Sequence, residues 1–340
     1  MGKTVMRTYL DGVSVVIVTF NGSKRLKPTL IHLAGQQQIL FPFEIVLVDN
    51  NSNDNTAEIV KEIWESLGAP FSLSVTHENT PGTMYARKKG IDESKYRYIL
   101  YCDDDNWLSP LYVKTAYETI SGDDAIAGVG GKGIIEYDEK IEVPDWIGPY
   151  EVNYGTGPQT SKTGDITDIK GCLYTAGAIL DKIWIDRLYT KGFKSSLTGR
   201  IGNSLVAGED TELTYALKLI GGRLYYIEEM YFHHYMSPGR INWAYLTRLY
   251  EAFGFSEYII SPYDYFFNNK KYPGRLNIIV SSLFDYVSLS AKIIWFRLKD
   301  GNFTILKLAR KKGLLKAILF HHDRFKANRK MIEHLRDSKI

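Results

Sequence analysis

YILYCDDDNWLSP, residues 98–110, sets a short apolar run directly against three consecutive carboxylates, Asp103, Asp104 and Asp105. Ser109 and Pro110 then read as the N-cap and first residue of a helix. Adjacent acids repel one another, so a fold that keeps them together must offset the repulsion. Two readings are open. The acids lie in a solvated turn between strand and helix, or they hold a divalent cation, a hard ion that prefers oxygen ligands, with the phosphates it bridges.

The preceding residues favour the second reading. Residues 13–20, VSVVIVTF, form a nearly continuous β-branched run, as expected of a strand buried on both faces of a parallel sheet. The run ends at Asn21-Gly22, and Leu26, Leu30 and Leu33 follow at helical spacing. A second such strand, EIVLV at 44–48, enters a cluster of turn residues from Asp49 to Thr56, with Ile59, Ile63 and Leu67 predicting a helix behind it. Phe71–Thr76 is a third strand. Asn79-Thr80-Pro81-Gly82 turns into a short basic helix carrying Arg87, Lys88 and Lys89, and Arg97–Cys102 is the fourth strand. This alternation predicts an α/β protein with an open, mostly parallel sheet. Ligands bind outside the carboxyl ends of such strands, so Thr19, Asn21, Asp49, Asn51 and Asp103–Asp105 converge on one crevice. Neither G-x-G-x-x-G after the first strand nor G-x-x-x-x-G-K-[ST] anywhere is present. Phosphates would then be neutralised by a metal on Asp105, helped by Arg87 or Lys88.

With 340 residues the chain accommodates one large domain plus an appendage, or two domains. The net charge of +3 does not argue for nucleic acid, and two cysteines, Cys102 and Cys172, do not make a disulfide scaffold. The first residues, MGKTVMRTYLDG, lack the apolar core of a signal peptide, so a cytoplasmic protein is expected. Further along, Ala125–Gly130 reads as a strand, Tyr137–Gly171 as long loops over the crevice, and Ile183–Leu188 as a helix. The run Thr175–Ala178 suits either close approach of a ligand or simple packing. In VAGEDTEL (206–213), Glu209 or Asp210 begins a helix that Gly221-Gly222 stops. Leu224–Ile227 and Tyr231–Tyr235 read as two short strands, the second placing His233 and His234 on opposite faces.

Together, VSVVIVTFN, EIVLVDNNSNDNT, NTPGTMYARKKG, DDDNWLSP, GEDTEL and HYMSPGRINW, in this order, resemble the inverting family 2 glycosyltransferases. The resemblance covers roughly Val13 to Arg248 and implies a GT-A fold, with helices on both faces of the sheet and a C-terminal helical appendage. It implies that Asp103 contacts the ribose of a nucleotide-sugar donor and Asp105 the metal, Mn²⁺ or Mg²⁺, with Asp104 assisting. Asp49 matches the acid that hydrogen-bonds the base, Thr19 and Asn21 line the same pocket, and Arg87 matches a basic residue beside the diphosphate. Asp210 is the implied catalytic base, with Glu209 the alternative. His234 completes the metal or diphosphate site, with His233 the alternative.

Residues 1–255 are thus expected to form the catalytic domain and 256–340 a basic, amphipathic helical region. Leu276–Phe296 is apolar but interrupted by Asp285 and Lys292, a poor spanning helix. Lys292–Lys330 interleaves basic and apolar residues, which suits peripheral contact with an anionic membrane carrying a lipid-linked acceptor, or a bundle with a solvated basic face. The expected partners are a nucleotide-sugar donor and a saccharide or lipid-linked acceptor, without nucleic acid. The competing activities are a nucleotidyltransferase and a catalytically inactive nucleotide-sugar-binding protein.

Overall fold

A computed structural model describes residues 8–200, 205–296 and 301–337. The elements begin with β1 (Leu10–Thr19), α1 (Leu26–Ala34), β2 (Phe43–Asp49), α2 (Thr56–Ser66), β3 (Ser72–His77), α3 (Thr83–Glu93), β4 (Tyr96–Asp103), β5 (Asn106–Leu108), α4 (Tyr112–Ser121) and β6 (Ile126–Tyr137). They continue with β7 (Gly164–Asp165), β8 (Ile179–Asp181), α5 (Lys182–Thr190), α6 (Glu209–Leu219) and β9 (Arg223–Met236). The chain closes with α7 (Trp243–Phe267), α8 (Arg275–Phe296), α9 (Gly301–Phe320) and α10 (His322–Asp337). It divides into two compact units, Met1–Gly192 with Leu217–Ser237, and Phe193–Ala216 with Pro238–Ile340. The expected boundary at residue 255 falls inside α7, because one unbroken helix carries the chain past that point.

The first unit holds one sheet in the order β3-β2-β1-β4-β8-β6-β9-β5, with β7 on β9. β3, β2, β1 and β4 are all parallel, and the second half of the sheet is mixed. Val13, Val15, Val16 and Ile17 of β1 are all buried, which explains the continuous β-branched run: helices cover both faces. On one face Val13, Val15 and Ile17 pack with Leu26, Leu30 and Leu33 of α1, Val60 and Trp64 of α2, and Val113 and Ala116 of α4. On the other, Gly90 of α3 sits so close to Val16 and Val48 that a larger residue would collide with them. The buried stripe of α2 is Thr56, Val60 and Trp64, one position away from the expected Ile59–Ile63–Leu67 line, whose Ile63 and Leu67 pack at its margin.

Two local expectations change. The helix after the acids starts at Tyr112 rather than Pro110, because Asn106–Leu108 first forms β5, pairing antiparallel with Phe232–His234. The two short strands predicted near residues 224 and 231 are one strand, β9, which follows β6 in parallel with a register shift between Gly130 and Lys132. Gly177, in the small-residue run, has φ of 72° and lies against Tyr112 and Phe232, with the Tyr112 hydroxyl donating to its carbonyl at 2.8 Å. That is packing.

In the second unit α7 and α9 cross through two glycines. A methyl group on Gly254 would strike the backbone carbonyl of Arg310, and one on Gly313 would strike that of Glu251. The two backbones therefore touch, and flanking pairs, Arg310–Glu257 and Lys312–Glu251, each at 2.8 Å, bracket the crossing. Gly254→Ala would gain helix propensity yet is expected to lower stability by about 2 kcal/mol through overpacking. A reduced thermal midpoint in calorimetry checks it, and an unchanged or raised midpoint would show that the crossing tolerates a side chain.

Candidate active site

The register brings the predicted strand ends together. Val18 lies opposite both Val48 and Asp103, and Thr19 opposite Asp49, so β1, β2 and β4 end side by side. Three loops leave these ends and tie to one another. Asn21 and Asn51 both adopt the left-handed backbone, with φ of 52° and 65°, a conformation asparagine tolerates better than most residues. The Asn21 N–H donates to Ser52 Oγ at 2.9 Å, and Asn21 Oδ1 accepts from the Asn53 N–H at 3.0 Å. Asp49 Oδ1 accepts from the Ser52 N–H at 3.0 Å, while its Oδ2 stands 3.4 Å from His77 Nδ1. Asn21 and Asp49 thus shape the loop that carries Asn51, whose residue is exposed.

Asn50 was not singled out by its sequence. Its side chain donates to the carbonyls of Glu78 and Thr80 and accepts from the Gly82 N–H at 2.8 Å, fixing the Asn79–Gly82 turn ahead of α3. Arg87 on α3 then reaches the acids. Its guanidinium donates to Thr175 Oγ1 at 2.7 Å, stands 3.6 Å from Asp103 Oδ1 and lies over the Tyr101 ring.

The three consecutive acids have three different surroundings. Asp103 keeps 35% of its side chain exposed beside Arg87. Asp104 is buried and held by three charge-assisted or short hydrogen bonds: Arg25 Nε at 2.8 Å, Arg25 Nη2 at 2.6 Å and Thr19 Oγ1 at 2.5 Å. Burial pushes the Asp104 carboxyl above the ordinary aspartate value, the neighbouring Asp105 adds to the rise, and Arg25 and Thr19 oppose it. Asp105 is buried with His234, its Oδ1 3.6 Å from His234 Nε2. That juxtaposition follows from the β5–β9 ladder, which sets Asn106 opposite His234, and from the Tyr235 N–H donating to the Asp105 carbonyl at 2.9 Å. His233 points to the other side, with Nδ1 2.8 Å from Glu136.

The structure therefore brings Asp49, Arg87, Asp103, Asp105 and His234 to one rim, and turns Thr19 and Asp104 toward each other. Arg25 is the residue that sequence reading missed here. It stands at the start of α1 and its partner lies 79 positions away, a pairing no local pattern encodes. Among the described residues no group of three or more His, Cys, Asp or Glu side chains is gathered closely enough to hold a metal by itself.

Asp210 belongs to the second unit, in the first turn of α6, where its carboxylate accepts from the Thr211 N–H at 2.7 Å. Its neighbour Glu212 is wholly buried, accepts from the Ser196 N–H at 2.9 Å and the Leu197 N–H at 3.2 Å, and bonds the Ser195 hydroxyl. Burial pushes the Glu212 carboxyl upward against these bonds. The acid that organises the loop before α6 is thus Glu212, two residues after the predicted base. Positions 201–204 of the preceding Lys191–Leu205 loop lie outside the described residues.

The acids, Arg87 and His234 lie at the carboxyl ends of the strands, where open α/β sheets place their ligand sites. Residues 14–175 match the family model described as "Glycosyl transferase family 2". The chain is 33% identical over 129 residues to chondroitin synthase of Escherichia coli, covering 37% of this chain and 18% of that protein. It is 27% identical over 138 residues to the poly(ribitol-phosphate) beta-N-acetylglucosaminyltransferase TarS of Staphylococcus aureus, covering 39% and 24%. The chain thus spans less than a quarter of the length of either curated relative. The crystal structure of S. aureus TarS in complex with UDP-GlcNAc superposes with a TM-score of 0.51 at 17% identity, over 96% of this chain and 92% of that one. The shared fold is the GT-A type.

Arg25→Ala leaves the buried Asp104 carboxylate without its guanidinium and is expected to cost about 2 kcal/mol. Arg25→Ala combined with Asp104→Asn should recover most of that loss, because the uncompensated charge is gone. Urea unfolding of both variants and of Asp104→Asn tests the pair, and simply additive losses would show that the two side chains act independently.

Proposed function

We propose that this chain transfers a sugar from a nucleotide-sugar donor to a hydroxyl of a saccharide or lipid-linked acceptor, with inversion at the anomeric carbon and a divalent cation as cofactor. The observation that carries this reading is the division of the acid cluster: Asp104 is locked by Arg25 and Thr19, whereas Asp103 stays partly accessible beside Arg87 and Asp105 pairs with His234.

Those residues fit a cation whose remaining ligands come from the donor. One carboxylate and one imidazole make a mixed oxygen–nitrogen set that suits Mn²⁺, with Mg²⁺ the harder alternative. Asn106, opposite His234, adds a second indication of a polar occupant. It is wholly buried and neither polar atom of its carboxamide has a hydrogen-bond partner among the described residues, a costly arrangement for a site without a ligand. Asp105 and His234 would hold the cation, which when bound would stabilise the charge that develops on the departing diphosphate.

The remaining roles fall to side chains. Asp103 accepts from the ribose hydroxyls, Asp49 from the base, and Arg87 orients the diphosphate as a planar, permanently charged donor. An acceptor hydroxyl is a poor nucleophile at neutral pH, so a carboxylate must take its proton as the new bond forms. Asp210 is that base in our reading. Direct displacement from the opposite face needs no covalent sugar–enzyme intermediate. UDP-GlcNAc is the first donor to test, because the TarS structure contains it. We further infer a cytoplasmic protein in peripheral contact with the inner face of the cell membrane, where a lipid-linked acceptor would be met.

Asp210→Asn should lower transfer at least 100-fold while donor affinity, by calorimetric titration, stays within about twofold. Near-normal turnover in that variant would remove Asp210 from the base role. Asp105→Ala should abolish the increase in donor affinity that Mn²⁺ gives the wild type. The same affinity with and without Mn²⁺ in the wild type would instead exclude the cation from donor binding.

A further inference from the structure

The second unit carries a surface that donor chemistry does not use. Along α8, Leu276, Val280, Leu283, Phe284 and Val287 recur at helical spacing and are all exposed, Phe284 at 73% and Leu276 at 70%. This is a continuous apolar stripe on one face of a helix, the kind of patch that soluble monomers rarely leave bare. No helix among the described residues is long and apolar enough to cross a membrane.

The surrounding charge says what covers it. Residues 270–340 hold 17 Lys and Arg against five Asp and Glu, whereas residues 1–269 hold 25 against 34. The positive charge of the whole chain is therefore concentrated in the segment that bears the stripe. Within that segment a pocket of about 530 Å³ opens among α7, α8 and α9, lined by Lys292, Lys307, Arg310, Lys311, Glu257 and Asp285. The two acids are matched, Glu257 to Arg310 at 2.8 Å and Asp285 to Lys311 at 2.7 Å. Lys292 and Lys307 have no acidic partner among the described residues. Lys307 lies instead over the Phe303 ring, itself exposed. An exposed apolar helical face in a segment that also carries unmatched cations is the pattern of an interfacial helix resting on anionic lipid. A second copy of this basic segment would set like charges against each other, which argues against self-association through the same face.

We propose that the α8 stripe docks on an anionic phospholipid bilayer, inserting Val280, Phe284 and Val287 at the level of the head groups while Lys292 and Lys307 receive lipid phosphates. This deepens the peripheral membrane contact proposed above by naming its face and lipid charge, and it does not depend on the donor or on the catalytic base.

Flotation of the full chain with vesicles of phosphatidylcholine containing 30% phosphatidylglycerol, and with pure phosphatidylcholine vesicles, tests it. The wild type should float with the anionic vesicles, at least tenfold less with the neutral ones, and be released by high salt. Val280→Asp with Phe284→Asp should lose binding to both. Lys292→Glu with Lys307→Glu should lose about tenfold on the anionic vesicles alone. Circular dichroism confirms that each variant is folded, and donor hydrolysis in solution should match the wild type in both. Equal binding to neutral and anionic vesicles, no binding to either, or a dimer by light scattering that Val280→Asp with Phe284→Asp dissociates would each overturn the proposal. A failed donor assay with intact flotation would instead count against the transferase reading alone.

Discussion

Three carboxylates in a row at the end of a buried strand can persist only if each finds its own counter-group, and this requirement organises the first unit. Arg87 comes to Asp103 from α3, Arg25 to Asp104 from the start of α1, and His234 to Asp105 from β9. The three partners come from separate stretches of chain, so the acid cluster is a point at which the sheet and its helices must agree in position. Asp104 is the most constrained of the three. Its burial beside Asp105 raises the cost of its charge, and a two-pronged guanidinium contact with a hydroxyl is the arrangement best able to offset it.

The same economy governs the loops around the cluster. Asn21, Asp49 and Asn50 each spend side-chain hydrogen bonds on neighbouring backbone, converting three separate turns into one braced rim. Such bracing limits the motion of loops that would otherwise be the least ordered part of the sheet. It also explains why polar residues rather than glycines crowd these strand ends. A site without a glycine-rich phosphate loop relies on fixed side chains, and those side chains need fixed backbone.

The second unit is built on different physics. α7 and α9 touch backbone to backbone through Gly254 and Gly313, and α10 joins them through a cluster that includes Tyr258, Ile259 and Phe325. Glu212 fastens the loop before α6 by accepting backbone N–H groups from Ser196 and Leu197, at the cost of burying a carboxyl. What the helices leave exposed, the α8 stripe and the unmatched lysines, is as informative as what they bury.

The amino-acid sequence alone established the alternating strands and helices, the parallel half of the sheet and the position of the acid cluster at a strand end. These are legible because burial on both faces demands unbroken β-branched runs such as Val13–Phe20, and because turn residues cluster where strands stop. The resemblance to family 2 glycosyltransferases likewise rested on short motifs in order. The tertiary structure decided which partner each of two neighbouring acids meets, and which of two adjacent histidines lies beside them. Those choices depend on pairings 79 to 129 residues apart, such as Arg25 with Asp104 and His234 with Asp105. Strand β5 escaped sequence reading for the same reason: three residues carry no periodicity, and only pairing with β9 makes them a strand.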